Sequence, residues 1–459
     1  MPGAGRWVPG VGRQHLTPET RNPTPASMVI RDPVHGDIAL RPLEAAVLDF
    51  PEVQRLRGIK QLGTASFVYP GAVHTRFDHS LGTCAVARHI VSVLRDNGAP
   101  VTPDLADLIG AAALLHDVTH VPFGHTLEDE RCLFPRHDKG TRVVALLAGA
   151  GGERLARLGV KRELAALLGA SDLAAADLPV WARQVVSSTI DADLLDYLRR
   201  DSYFTGLAQN YDDRVFRHFV VEQDQLAINM TKHGMERPDA HSETVQLLRM
   251  RYFLTERVYY HHTKVAAGAM VSKAVELAHE HGVLDEAVLL QLTDGGLFER
   301  LRRTPRTEAP DPRIAGLVDR LDTRRLLKRG YVVSERSVSP DERRTLVERL
   351  HQTPPARRAA EADLAAAVGC APAEVIVYCP ALTVMKEAAA LVRMPAGLAR
   401  LNDPVPPHDP DIAAIEARYA ALWRLYVFVP AEHVERTALA ARELFGYPSE
   451  HQVGTPLAR

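Results

Sequence analysis

The sequence predicts a mainly α-helical protein with a small antiparallel β component and a second, α+β lobe towards the C-terminus. Three observations predict this. Apolar residues recur at three- and four-residue spacing through residues 79–96, 104–116 and 242–281. Strand-like alternation is confined to short runs. After about residue 285 the composition shifts to Arg, Leu and Ala, with Pro-rich breaks at 304–312 and 403–410.

Taken in order, residues 1–27 are rich in Pro, Gly, Arg and Thr and lack the apolar centre of a signal peptide, so they read as a disordered extension, with Met28 as an alternative start. Residues 28–284 form a first domain and 285–459 a second lobe. Residues 28–45 predict a short strand and turn punctuated by Pro33 and Gly36, and 49–60 a helix carrying Val53, Leu56 and Ile59. QLGTASFVYPGAVHTRF is expected to be a loop. Residues 79–96 form an amphipathic helix, and DLIGAAALLHD, within 104–116, a buried one. His120 to Thr141, with Pro122, Gly124, Pro135 and Gly140, is broken structure. Two Ala/Leu-rich helices fill 141–170, one helix spans 180–201, and FRHFVVEQDQLAINM is a hairpin about QDQ. One long helix covers 242–281. Strands are expected at 374–380 and 424–430.

A chain of 459 residues with 46% hydrophobic and 24% charged residues can bury a large core. The net charge of −2 argues against a chain-wide basic footprint for nucleic acid, while leaving room for a local basic cleft. The four cysteines, Cys84, Cys132, Cys370 and Cys379, have no Cys-x-x-Cys spacing and are too few for a disulfide framework, which points to a cytoplasmic setting. No apolar run approaches the ~18 residues that span a bilayer. Cys84 reads as a small core residue, His35 and His89 as structural, and the Arg-rich stretch 297–347 as solvated helix faces.

Chemistry concentrates in three segments. LLHDVTHVPFGH (114–125) puts an adjacent His-Asp pair at the end of a buried helix, where an ionised Asp is costly unless paired or metal-bound. HTRFDHSLG (74–82) places another His at the start of a helix. In IDADLLDYLRRD (190–201), Asp193, Tyr197 and Asp201 fall at i, i+4 and i+8, on one helix face. Two imidazoles and two carboxylates suit one divalent ion, Mn, Fe, Mg, Ni or Zn, with positions left open.

The order of these segments resembles the HD-domain deoxynucleoside triphosphate triphosphohydrolases, most closely the SAM-and-HD-domain type and its bacterial relatives. DPVHG (32–36) and FPEVQRLRGIKQLG (50–63) are similar to that family's opening, and the resemblance covers about 28–280. It implies an HD-domain helical core with His79, His116, Asp117 and Asp193 as metal ligands. It implies hydrolysis of a dNTP to deoxynucleoside and triphosphate, with His137 as catalytic histidine, Glu128 as its carboxylate partner, and Arg76 and His125 at the phosphate. Arg251 matches a phosphate-binding arginine. Gln61, Leu62, Tyr197, Asp201 and Tyr259 match sugar-contacting positions, and His120 and Lys264 complete the expected substrate contacts. His137 would protonate the leaving sugar oxygen. The resemblance also implies a homo-oligomer, with nucleotide activation through Asp49, Gln54 and Arg57.

Two departures stand out. Leu194 and His262 occupy positions where the family carries phosphate-binding lysines. Two fewer cations leave an alternative substrate class, nucleoside monophosphates or phosphodiesters.

Overall fold

The computed structural model describes residues 28–136, 141–170, 177–303, 311–403 and 409–451. The extension 1–27, the Pro-rich breaks at 304–310 and 404–408, and His137 lie outside the described residues.

Val29–Asp32 and Gly36–Ala39 pair as an antiparallel hairpin, followed by the helices Pro42–Leu48 and Pro51–Arg55. The helix Arg76–Asp96 opens with a capping box: Thr75 Oγ1 accepts from the Asp78 backbone, and Asp78 accepts from the Thr75 N–H. The helix Pro103–Leu115 is capped by Thr102, with Pro103 in its first turn, and packs along Arg76–Asp96. Its nearly all-apolar sequence is almost wholly buried.

Three expected elements are divided. Residues 141–170 form three short helices, not two: Thr141–Ala148, Ala150–Arg157 and Lys161–Leu167. The span 180–201 is split into Val180–Val186 and Ala192–Thr205, because Asp191 turns its carboxylate onto the N–H groups of Ser188 and Leu194 and starts a new helix. The span 242–281 is three pieces: the helix Pro238–Leu254, a π turn Thr255–Tyr259, and the helix His262–Glu280.

The expected hairpin forms between Phe219–Glu222 and Gln225–Asn229, turning on Gln223 and Asp224 with φ of 51° and 60°. Leu391–Met394 joins it, running parallel to Gln225–Asn229 with Ile228 opposite Val392. The four-stranded sheet thus crosses the expected domain boundary at 284. A second sheet places Arg424–Val429 between Lys328–Ser334 and Ile376–Tyr378, all antiparallel.

Among the described residues four hydrophobic clusters form, the smallest joining Val245 and Leu248 to Met385 and Ile412, and three larger ones hold the chain together. One includes Ile90, Ile109 and Trp181; one lies against the second sheet and includes Val377, Trp423 and Val427. The third links Phe123 and Leu127 to Met270 of His262–Glu280 and to Ile376 and Phe428 of the second sheet. All four cysteines are free, and among the described residues no helix is long and apolar enough to cross a membrane.

Candidate metal centre

Three helix ends deliver the donors. His79 lies in the first turn of Arg76–Asp96, His116 caps the C-terminal end of Pro103–Leu115 with Asp117 next to it, and Asp193 lies in the first turn of Ala192–Thr205. His79 Nε2 is 2.9 Å from Asp193 Oδ1 and 3.9 Å from Asp117 Oδ2. His116 Nε2 is 3.4 Å from Asp117 Oδ1 and 3.8 Å from Asp193 Oδ1. Each of His79, His116 and Asp193 offers an atom within 4.8 Å of the others, a spacing that could hold a metal ion.

The tautomers test whether a cation fits. His116 Nδ1 lies 2.7 Å from the Ala113 carbonyl, so it must carry the proton. His79 Nδ1 lies 2.7 Å from Asp196 Oδ2 and carries its proton for the same reason. In the neutral rings both Nε2 atoms are therefore bare lone pairs, yet they face each other at 3.2 Å beside two carboxylates. That arrangement is repulsive unless positive charge lies among them. Proton affinities agree. Burial alone would lower His79, but Asp193 and Asp196 outweigh it and push it up to about 10. His116 is likewise raised against burial by Asp117 and Asp193. Burial would raise Asp193, but His116 and His79 hold it far below the usual carboxylate range. A field that attracts protons this strongly also attracts a divalent ion, and a two-imidazole, two-carboxylate donor set suits one.

The side chains of His79, Asp117 and His116 are 0%, 5% and 11% exposed, whereas that of Asp193 is 39% exposed. The centre is closed on three sides and open at Asp193, as an incoming ligand requires.

Behind His79 stands a buried chain of charges. Asp196 accepts from His79, from His35 Nε2 at 2.6 Å, and from Arg200 Nε and Nη2 at 2.8 and 2.9 Å. Arg200 in turn donates to Asp32 at 2.8 Å. The DPVHG hairpin therefore braces a ligand through Asp32 and His35. Gly82 makes room: a Cβ there would overlap Asp196 and Arg200. Sequence reasoning passed over Asp196, Arg200 and Asp32; the available signal was Asp-x-x-x-Arg at 196 and 200 inside the segment already singled out.

On the other side, Arg76 Nη1 donates to Asp117 Oδ2 at 2.5 Å and His120 Nε2 lies 3.1 Å from Asp117 Oδ1. Gly124 (φ 49°) lets the chain pass Arg76, whose guanidinium a Cβ would strike. Glu128 is buried against Arg142 Nη1 at 2.5 Å, with His125 Nδ1 at 3.5 Å and His120 Nδ1 at 3.6 Å. Arg142, which the sequence did not signal, also donates to Glu286. The Glu128–His137 pairing falls outside the described residues.

Of the expected sugar-contacting residues, Tyr197 borders the centre and Tyr259 is linked to it through Arg251. The Tyr197 ring is 6.4 Å from that of His79, and Arg251 lies 5.3 Å from the Tyr197 ring and 5.1 Å from the Tyr259 ring. Asp201 is shared between Tyr259 Oη at 2.6 Å and His74 Nε2 at 2.8 Å. Gln61 Oε1 and Arg76 Nε are buried without a hydrogen-bond partner among the described residues. Leu62 is buried in the core. Burial lowers the pKa of Lys264 against the pull of Glu130 and Asp129. Leu194 is buried, and His262 lines a separate cavity.

Residues 76–201 match the family described as the HD domain, and residues 242–455 the HD associated region. An uncharacterised protein of Methanocaldococcus jannaschii is 32% identical over 319 residues, 69% of this chain and 62% of that protein. The deoxynucleoside triphosphate triphosphohydrolase SAMHD1 of Xenopus laevis is 28% identical over 291 residues, 55% of this chain and 46% of that protein. The chain thus spans about half to three-fifths of the length of these curated relatives. A phosphohydrolase structure from Bacteroides thetaiotaomicron superposes with a TM-score of 0.64 at 23% identity, covering 88% of this chain and 99% of that one, which shows a shared fold.

Proposed function

The chain carries an HD domain followed by an HD associated region, and from that premise we propose that it is a metal-dependent phosphohydrolase that converts a dNTP to deoxynucleoside and triphosphate. The observation that carries the proposal is the pair of bare imidazole nitrogens facing each other beside Asp117 and Asp193. His79, His116, Asp117 and Asp193 would hold one divalent ion. Such an ion, when bound, neutralises phosphate charge and lowers the pKa of water.

The protein's own residues supply the rest. Arg76 and Arg251 bring positive charge to the phosphates. Gln61, Tyr197, Asp201 and Tyr259 flank the place of the sugar; the unpaired Gln61 Oε1 needs a donor such as a sugar hydroxyl. The leaving oxygen takes a proton from a histidine held by Glu128. We assign that role to His137; His125 and His120 are the described imidazoles on the same carboxylate.

A second reading, hydrolysis of a nucleoside monophosphate or phosphodiester, is favoured by one observation. Leu194 is packed into the core and His262 lines another cavity, so neither supplies the cation that a triphosphate would use. Chromatography of a panel of dNTPs, nucleoside monophosphates and phosphodiesters with Mn or Mg separates the readings. Inorganic triphosphate supports the first, products of monophosphate or diester cleavage the second, and no turnover of any nucleotide rejects both. If Asp193→Ala keeps wild-type turnover, the metal assignment is wrong.

Assembly into a homo-oligomer with nucleotide activation is part of the same proposal. Gln54 and Arg57 are joined by a 2.8 Å hydrogen bond, and Asp49 and Arg57 are exposed. A cavity of about 400 Å³ lined by Arg324, Lys328 and Arg329 offers positive charge suited to phosphates. Elution as a monomer at every nucleotide concentration would remove this part.

A further inference from the structure

Arg251 stands in the last turn of Pro238–Leu254, its guanidinium between the rings of Tyr197 and Tyr259, and the Tyr197 ring borders His79. Its Nε donates at 3.0 Å to Oε1 of Glu387, a residue 136 positions further along the chain. Glu387 sits in the short turn Lys386–Ala389, within the HD associated region, and is 8% exposed. Among the described residues, Nε is the one Arg251 donor with a hydrogen-bonded acceptor, and the side chain keeps 23% of its surface exposed.

The geometry of this pair distinguishes two roles. A carboxylate that competed with phosphate would take the two Nη groups as a fork, the strongest arrangement available to it. Glu387 instead takes Nε alone and leaves Nη1 and Nη2 available. An arginine side chain otherwise has several rotatable bonds to immobilise before it can grip an anion.

We propose that Glu387 is a positioning residue, holding Arg251 by Nε so that its Nη pair faces the cleft beside the metal centre and grips a phosphate group of the substrate. The associated region then completes the substrate site. This rests on the phosphohydrolase reading for the identity of the substrate, but its test needs no turnover.

Inorganic triphosphate is titrated calorimetrically into Mn-loaded full-length protein freed of excess metal. Loss of a charge-assisted hydrogen bond should weaken binding about tenfold in Glu387→Ala. Glu387→Gln, whose amide oxygen still accepts from Nε, should stay within about threefold of wild type. In an Arg251→Ala background, Glu387→Ala should change nothing further. If Glu387→Ala does not fold, Glu387→Asp takes its place, because the shorter side chain withdraws the acceptor while Glu387→Gln does not. Tighter binding in Glu387→Ala would make Glu387 a competitor and overturn the proposal. Unchanged binding, an equal loss without Arg251, or a wild type that binds no triphosphate overturns it as well. A wild type that binds triphosphate with the predicted pattern but hydrolyses no nucleotide rejects the functional reading and leaves Glu387's role standing.

Discussion

Asp196→Asn tests the frame behind the metal centre. The substitution preserves volume and removes one charge. In the wild type both Asp196 oxygens accept: from His79 Nδ1 at 2.7 Å, His35 Nε2 at 2.6 Å, and Arg200 at 2.8 and 2.9 Å. An amide presents one NH₂ and one oxygen, so in either orientation a donor meets a donor. Turned one way, His79 Nδ1 loses the acceptor that fixes its tautomer and leaves Nε2 bare, and Arg200 Nε loses its own. Turned the other way, His35 Nε2 and Arg200 Nη2 lose theirs, and His79 keeps only a neutral amide oxygen in place of the carboxylate that raises its basicity. Replacing a group that orients a metal-bound histidine typically costs 10–100-fold in metal affinity, about 1.4–2.8 kcal/mol. Stripping a buried arginine of its whole partnership would cost ~3–5 kcal/mol of stability, but Arg200 keeps Asp32 at 2.8 Å, so the stability loss should fall below that range. Metal affinity is read by competition with a chromogenic chelator, and stability by thermal unfolding of the metal-free protein. Asp32→Asn is the control: it touches Arg200 but not His79, so it should lower the Tm while leaving metal affinity within about threefold of wild type. Wild-type metal affinity in Asp196→Asn, or an equal loss of affinity in both variants, would refute the reasoning.

Three further outcomes follow from the same structure. Gly82→Ala would drive a methyl group into Asp196 and Arg200, and should cost about 3 kcal/mol or more of stability, measured by urea unfolding; a loss under ~1 kcal/mol would show that the helices are free to move apart. Burial pushes the Glu130 carboxyl from an ordinary 4.5 up to about 7, despite Lys264 and the Ser272 hydroxyl. The folded chain therefore binds more protons than the unfolded one between those values, so this group's stabilising contribution is complete below pH 4.5 and lost as pH rises through 7. Glu130→Gln should flatten the fall of Tm across that window and exceed wild type above it; parallel curves would contradict the assignment. Saturating Mn at about a hundredfold over its Kd should stabilise wild type by ~2.7 kcal/mol in thermal unfolding, EDTA should reverse this, and His116→Ala should show no Mn response.

The residues proposed to hold the metal stand where local rules of the sequence put them. His79 follows a capping box, His116–Asp117 ends an apolar run, and Asp193 follows a capping Asp. The expected Asp193–Tyr197–Asp201 face is present, with Tyr197 beside His79 and Asp201 on Tyr259. What escaped notice depended on distant chain. Arg142 on Glu128, Glu387 on Arg251 and the parallel pairing of Ile228 with Val392 have no spacing that announces them. The break at Tyr260–His261 escaped for a different reason. TERVYYHH contains neither Gly nor Pro, and a π turn needs no breaker; it inserts one extra residue per turn where tertiary contacts stabilise it. Tyr259 Oη on Asp201 and Thr255 Oγ1 on Tyr419 Oη are such contacts, so the irregularity lies where the helix meets the site.

The buried charges behind His79 also explain why the short hairpin at the start of the described chain belongs to the frame of the candidate metal centre. A two-stranded hairpin of four residues per strand has little apolar surface to dock with, and its burial pattern is mostly exposed or intermediate. Asp32 and His35 give it two specific attachments to the helix Ala192–Thr205. Desolvating Arg200, Asp196 and Asp32 is costly, and hydrophobic residues of the same size would fold at least as stably. A hydrophobic substitute could not hold His79 Nδ1–H, however, and would leave the ring free to flip its nitrogens. The network is thus better explained by the orientation of one imidazole than by stability. That is why metal affinity, rather than Tm, is the quantity expected to separate Asp196→Asn from Asp32→Asn.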